Sequence, residues 1–168
     1  MLPESWKVRL IKSAGITLVL LFLTDGVIDR VRIGVDLQDI QCLARGRVFL
    51  IDLAERDFRR GDLIVFEQPP LIGETVPRPS LMIKQVAGLP GDQVARIGDQ
   101  VMIDGHAVVS GFPHRLEGRI QLPRLRYPFT LPPGSYFGIG THPRALDSRY
   151  LGPILPAHIK GKAYALLD

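Results

Sequence analysis

Apolar positions follow two regimes along this chain. Up to about residue 30 they form one block: residues 14–23 read Ala-Gly-Ile-Thr-Leu-Val-Leu-Leu-Phe-Leu, behind a start that carries Lys7, Arg9 and Lys12. That layout predicts an N-terminal hydrophobic helix. Beyond it, short apolar runs alternate with turn signals. Residues 47–52, 62–66, 81–87, 93–97, 100–103, 107–109, 135–139 and 161–167 read as strands. Gly98-Asp99 and Asp104-Gly105 each suit a tight hairpin turn between neighbouring runs. Residues 68–80 hold four prolines and a glycine and predict a loop. Residues 111–133 hold five prolines and predict an irregular excursion rather than a second domain. There is no internal repeat and no linker. The expectation is a mainly β chain: an N-terminal signal or anchor segment over residues 1–30, then one antiparallel β domain over residues 31–168.

Composition narrows the picture. At 168 residues the chain is long enough to bury a real core, and 46% apolar with 23% charged residues excludes disorder. The 17 glycines and 14 prolines argue against a helix bundle. A net charge of +4 would permit nucleic acid, but the arginines are scattered among Asp and Glu, which reads as a solvated mixed surface. No nucleic-acid partner is expected. With Cys42 as the single cysteine, no disulfide within the chain and no cysteine-based zinc site can form. The four histidines, His106, His114, His142 and His158, lack short metal-ligand spacing, so neither metal nor cofactor is expected.

The N-terminal block sets the expected compartment. Ten helical residues span only ~15 Å, half of the ~30 Å hydrocarbon core. Extension to Ile28 gives a marginal span that takes in Asp25, a costly residue unless it sits at the interface. No small-x-small cleavage signal comes directly after Leu23. An uncleaved inner-membrane anchor is the first reading. A removed signal peptide, leaving a periplasmic protein, is the second, and a buried core helix the third. With the basic residues inside, the β domain faces the periplasm. A lone thiol in that oxidising compartment calls for an explanation.

Three separated segments resemble one family. Lys84-Gln-Val-Ala-Gly-Leu-Pro-Gly-Asp92 resembles the lysine box of type I signal peptidases, which reads close to KRVVGLPGD. Asp147-Ser-Arg-Tyr-Leu-Gly-Pro153 is similar to their DSRYWG segment, and Pro156 with Ile159-Lys-Gly-Lys162 is similar to the proline and the I-x-G-K run downstream of it. Arg60-Gly-Asp-Leu-Ile-Val-Phe66 is similar to their RGDIVVF strand. Order and spacing agree over roughly residues 40 to 165. The short length and the GTHPRALDSRY wording resemble most the TraF branch, proteases of conjugative plasmid transfer that mature pilin precursors. The resemblance implies a signal-peptidase-like β fold and a peptidase acting on exported precursors, prepilin-like ones in this branch. It also implies the inner membrane and conjugation or type IV secretion components as partners. In the family a serine attacks the peptide bond and the box lysine is its general base. Here no such serine is found, and Cys42-Leu-Ala-Arg-Gly46 stands in its place.

The chemistry asked of these positions is definite. A serine or cysteine becomes a useful nucleophile only when a base removes its proton, and a lysine serves as that base where burial disfavours the ammonium form. Lys84 fits in type, because Met82 and Val86 share its face of an apolar strand. The plain alternative is an edge-strand lysine whose amine reaches solvent. A thiol is about two pKa units more acidic than an ammonium, so a Cys42–Lys84 dyad needs no histidine. The plain alternative for Cys42 is a small buried hydrophobe. The backbone amide of Cys42 is one oxyanion donor. Ile40, two residues earlier, offers no side-chain donor, and the second stays unnamed. Asp147 matches the aspartate that, by resemblance, supports the lysine. A carboxylate touching Lys84 would raise its pKa, so the support is expected to be indirect. The plain alternative is a salt bridge with Arg149 that holds a turn. His142 is a further possible base for Cys42.

The leading expectation is therefore a membrane-associated peptidase maturing exported precursors through a Cys/Lys variant of the Ser/Lys dyad, with Cys42, Lys84 and Asp147 as its site. The competing one is a catalytically inactive scaffold or assembly factor of a conjugative transfer apparatus. A self-cleaving repressor also uses Ser–Lys chemistry, but it needs a DNA-binding helical region where residues 1–35 offer an apolar run.

Overall fold

The computed structural model describes residues 13, 15–17, 29–36, 43, 46–68, 81–112, 125–143 and 145–167. The described residues form ten strands: β1 (Val31–Val35), β2 (Val48–Asp52), β3 (Leu63–Glu67), β4 (Leu81–Gly88), β5 (Gln93–Ile97), β6 (Gln100–Ile103), β7 (His106–Ser110), β8 (Phe129–Thr130), β9 (Phe137–Ile139) and β10 (Ile159–Leu167). A short helix, α1 (Ser148–Leu151), precedes the last strand. The strands make a six-stranded sheet in the order β1-β2-β10-β3-β4-β9 and a four-stranded sheet in the order β7-β6-β5-β8. Every pairing is antiparallel. The mainly β, antiparallel class expected from the pattern is the one observed.

Local sequence explains most of this. β3 lies between β10 and β4, and Ile64, Val65 and Phe66 are all buried, which is why its apolar run is continuous. β2 alternates, with Phe49 and Ile51 inward. Gly98-Asp99 and Asp104-Gly105 make the two turns of the β5-β6-β7 meander. Two strands are not legible in the sequence. β1, with an arginine and a glycine in five residues, owes its state to pairing with β2, Ile33 opposite Leu50. β8 lies inside the proline-rich excursion and is held by β5, Phe129 opposite Val94.

The expected N-terminal helix falls mostly outside the described residues; Ser13 and Gly15, Ile16 and Thr17 are helical. Among the described residues no helix is long and apolar enough to cross a membrane. Most of the expected loop over 68–80 and the middle of the excursion, 113–124, also lie outside them.

Three core clusters organise the molecule. Phe58, Ile64, Phe66, Val86, Tyr136, Ile154 and Ile159 fill one face of the large sheet. Leu43, Phe49, Ile51, Val65 and Ala163 form a second, with Ile83 packed against it. The third joins the sheets: Val94, Val101 and Ile103 of the small sheet meet Leu131 and Phe137. Gly88 sits at that junction, where a Cβ would stand 2.8 Å from Leu131 Cδ1 and 2.9 Å from Phe137 Cβ. Only glycine lets the strands come this close. Ion pairs trim the large sheet. Arg30 Nη2 lies 2.7 Å from Asp52 Oδ2, and its hydrogen bonding lowers the Asp52 carboxyl to about 2. Burial works to raise the Asp62 carboxyl, but bonds from Lys162 and the Arg59 amide outweigh it, so it falls below the usual carboxylate range.

Candidate active site

Lys84 sits in the middle of β4, paired across to Ile64 of β3. Strand alternation puts it on one face with Met82, Val86 and Gly88. It is 2% exposed. Across the other edge of β4, Gly138 of β9 is opposite Val86. A Cβ at Gly138 would stand 3.0 Å from Lys84 Cβ and 2.7 Å from Ile154 Cδ1, so the absence of a side chain there is what lets β9 close over the lysine. Among the described residues no hydrogen bond or ion pair engages the Lys84 amine. Lys160 and Lys162 behave differently, pairing with Glu67 and Asp62. A lysine so little exposed is rare, because withdrawing its charged form from water is costly.

Cys42 lies outside the described residues. Its neighbour Leu43 is buried in the cluster with Val65, against which Ile83 packs. Val65 and Ile83 are one step along β3 and β4 from Ile64 and Lys84. Leu43, next to Cys42, is therefore tied to β3 and β4 on the face opposite Lys84.

Asp147 is fully buried and caps α1. Its Oδ1 accepts from the Arg149 amide at 3.0 Å and from Arg149 Nε at 2.9 Å. Its Oδ2 accepts from Arg149 Nη2 at 2.8 Å and from the Gly140 amide at 2.9 Å. The Arg149 guanidinium continues to the carbonyls of Gly111 at 2.7 Å and Ser110 at 3.2 Å, at the end of β7. It reaches those of His142 and Ala145 at 3.4 Å each. Tyr127, whose hydroxyl lies 3.5 Å from the Arg149 carbonyl, has its phenol pushed up by burial. The geometry thus gives Asp147 the Arg149 salt bridge and a hold on the chain just after β9. Its connection to Lys84 runs through β9.

In the sequence Ser148 reads as mere context for Asp147. In the fold it is 1% exposed, and its Oγ accepts from the Gly138 amide at 3.0 Å. The signal that could have found it is the glycine: a small residue facing a buried lysine must be held in place by something. His142 offers its carbonyl to Arg149. A cavity of about 330 Å3 opens between the sheets, lined by Arg60, Ala87, Ile103, Asp104, His106 and Val108. Ala87 belongs to the β4 face opposite Lys84, so this cavity is separate from the lysine's surroundings. Among the described residues no group of three or more His, Cys, Asp or Glu could hold a metal ion.

Comparison with known proteins gives concordant matches. The profile of the family described as "Signal peptidase, peptidase S26" matches residues 9–167. Signal peptidase I V of Bacillus subtilis is 28% identical over 116 residues, covering 63% of this chain and 64% of the relative. The conjugal transfer protein TraF of Agrobacterium fabrum is 35% identical over 85 residues, covering 49% of this chain and 46% of the relative. The chain therefore spans from 46% to 64% of the length of these curated relatives. A crystal structure of a signal peptidase I from Enterococcus faecalis superposes with a TM-score of 0.40 and 25% identity, over 63% of this chain and 96% of that one.

Proposed function

The chain belongs to the signal peptidase family, peptidase S26, and from that premise we propose that it is a peptidase that matures exported precursors with Cys42 as nucleophile and Lys84 as general base. The observation that carries the reading is the lysine. Its 2% exposure, with no bond from its amine to any of the described residues, suits a group that must give and take a proton. In the acylation step the Cys42 thiol passes its proton to the Lys84 amine, and the sulfur attacks the scissile carbonyl. The tetrahedral oxyanion is met by the Cys42 amide. The C–N bond then breaks, and the Lys84 ammonium protonates the leaving amine. Water, deprotonated by Lys84, cleaves the resulting thioester and restores the thiol. Asp147 serves as a structural clamp for the strand beside the lysine.

The matched TraF relative is a conjugal transfer protein, which supports a prepilin-like precursor as substrate. The basic, apolar N-terminus supports an inner-membrane location with the β domain in the periplasm. The test is the intact mass of the pilin precursor in cells carrying the natural protein, Cys42→Ala or Lys84→Ala. Accumulation of uncut precursor with each variant is expected. Cutting that survives Cys42→Ala but not Lys84→Ala means another nucleophile. Cutting that survives both makes the protein a scaffold of the transfer apparatus.

A further inference from the structure

Resting on the reading of Lys84 as the base, we infer that Ser148 is a positioning residue: its hydroxyl holds Gly138 of β9 against Lys84 and so sets where the amine lies. Three observations meet here. The Ser148 Oγ accepts from the Gly138 amide at 3.0 Å, with the serine 1% exposed, so no water competes for the bond. Gly138 approaches Lys84 so closely that an added Cβ would be 3.0 Å from the lysine Cβ. β9 is short and irregularly held: its ladder to β4 comprises Gln85 with Ile139, Val86 with Gly138 and Gly88 with Phe137, with a register shift between the last two. Three residues on a broken ladder do not by themselves fix a strand. The Tyr136–Ile154 bridge and the buried Phe137 hold the start of the strand, and the side chain of Ser148 ties Gly138 itself.

Its own position is secured from the other direction. Ser148 is the first residue of α1, immediately after the Asp147 cap. The cap is bound by the Gly140 amide and by Arg149, so Asp147 and Ser148 hold two alternate amides, Gly140 just after β9 and Gly138 within it. The two grips differ in reach. Asp147 holds the end of the strand, whereas Ser148 holds the one residue that abuts the lysine. Loss of the hydroxyl frees the Gly138 amide and lets the wall beside Lys84 shift. Small misplacements of a catalytic group cost up to ~100-fold in rate.

The test measures turnover of the full-length protein on an internally quenched peptide with an alanine-rich site, comparing kcat with KM. Lys84→Ala must abolish cleavage, and if it does not, the dyad reading fails before Ser148 is judged. With that control in hand, Ser148→Ala is expected to lower kcat by about 10-fold or more with KM unchanged, while the melting temperature moves only a few degrees. Ser148→Thr, which keeps the hydroxyl, should stay within about threefold of the natural protein. Should Ser148→Ala not fold, Ser148→Cys keeps the shape with a much weaker acceptor and should fall as predicted for alanine. Hydrogen exchange at the Gly138 amide should rise with the loss in kcat. Unchanged kcat in Ser148→Ala or Ser148→Cys, or an equal loss in Ser148→Thr, overturns the proposal.

Discussion

A lysine held at 2% exposure beside Gly138 weakens the fold it sits in. Withdrawing most of this side chain from bulk water costs up to roughly 1–3 kcal/mol by mutational measures. Methionine has nearly the same shape and no such cost. Lys84→Met is therefore expected to raise the melting temperature by about 2–4 °C per kcal/mol recovered, while cleavage is lost. Differential scanning calorimetry checks the first half and the peptide assay the second. A lower melting temperature would mean that the amine has a stabilising partner, and the argument from burial would fall. Stability gained as function is lost is what a site selected for chemistry should show. Lys160 and Lys162, paired with Glu67 and Asp62, should show no such gain on the same exchange.

Between the residue and the fold stands one short element, the capped helix α1. Four residues do not make a stable helix on their own. α1 persists because Asp147 caps it and because the Arg149 guanidinium is satisfied on every side by Asp147 and the carbonyls of Ser110, Gly111, His142 and Ala145. Asp147→Asn would leave that guanidinium buried without its countercharge. Breaking such a pair from one side costs about 3–5 kcal/mol, and urea unfolding of the variant should show a loss of that order. A loss under about 1 kcal/mol would show that the carbonyls alone suffice. The same element explains how an aspartate with no contact to Lys84 can matter to it. Asp147 and Ser148 hold β9, and β9 is the lysine's wall.

Across the described residues the two sheets meet through apolar packing and through two arginines, Arg149 at the end of β7 and Arg60 at the end of β4. Arg60, from the stretch before β3, donates to the Ala87 carbonyl at 2.6 Å and lies 2.7 Å from Asp92 and 3.5 Å from Asp104. It therefore touches the end of β4, the turn into the small sheet, and the β6–β7 hairpin. Arg60→Ala is expected to speed amide exchange in β5, β6 and β7 by about 5- to 10-fold, the effect of one hydrogen bond of roughly 1 kcal/mol. Exchange in β2, β3 and β10 should not change. A uniform rise across both sheets would show that they open as one unit. The RGD stretch that reads in the sequence as part of a family strand is thus also a brace between the layers.

Much of this protein was determined by its sequence alone. Turn dipeptides and runs of apolar residues placed β2 through β7, because a two-residue turn and a buried strand are local or nearly local choices. The lysine was singled out by GLPGD and by its apolar strand. β1 and β8 were not legible: each is a strand only because a partner supplies its hydrogen bonds. For the segment 147–149 the sequence offered two roles, support of Lys84 or a salt bridge holding a turn, without deciding between them. A sequence names Asp147 and Arg149 as opposite charges two apart, but it cannot say that both are buried or that they face each other rather than Lys84. Those facts arise when β9, α1 and the end of β7 converge, as does the approach of Gly138 to Lys84 and its hold by Ser148. Residues far apart in the chain become neighbours only through packing, and a buried polar group takes whichever partners that packing delivers.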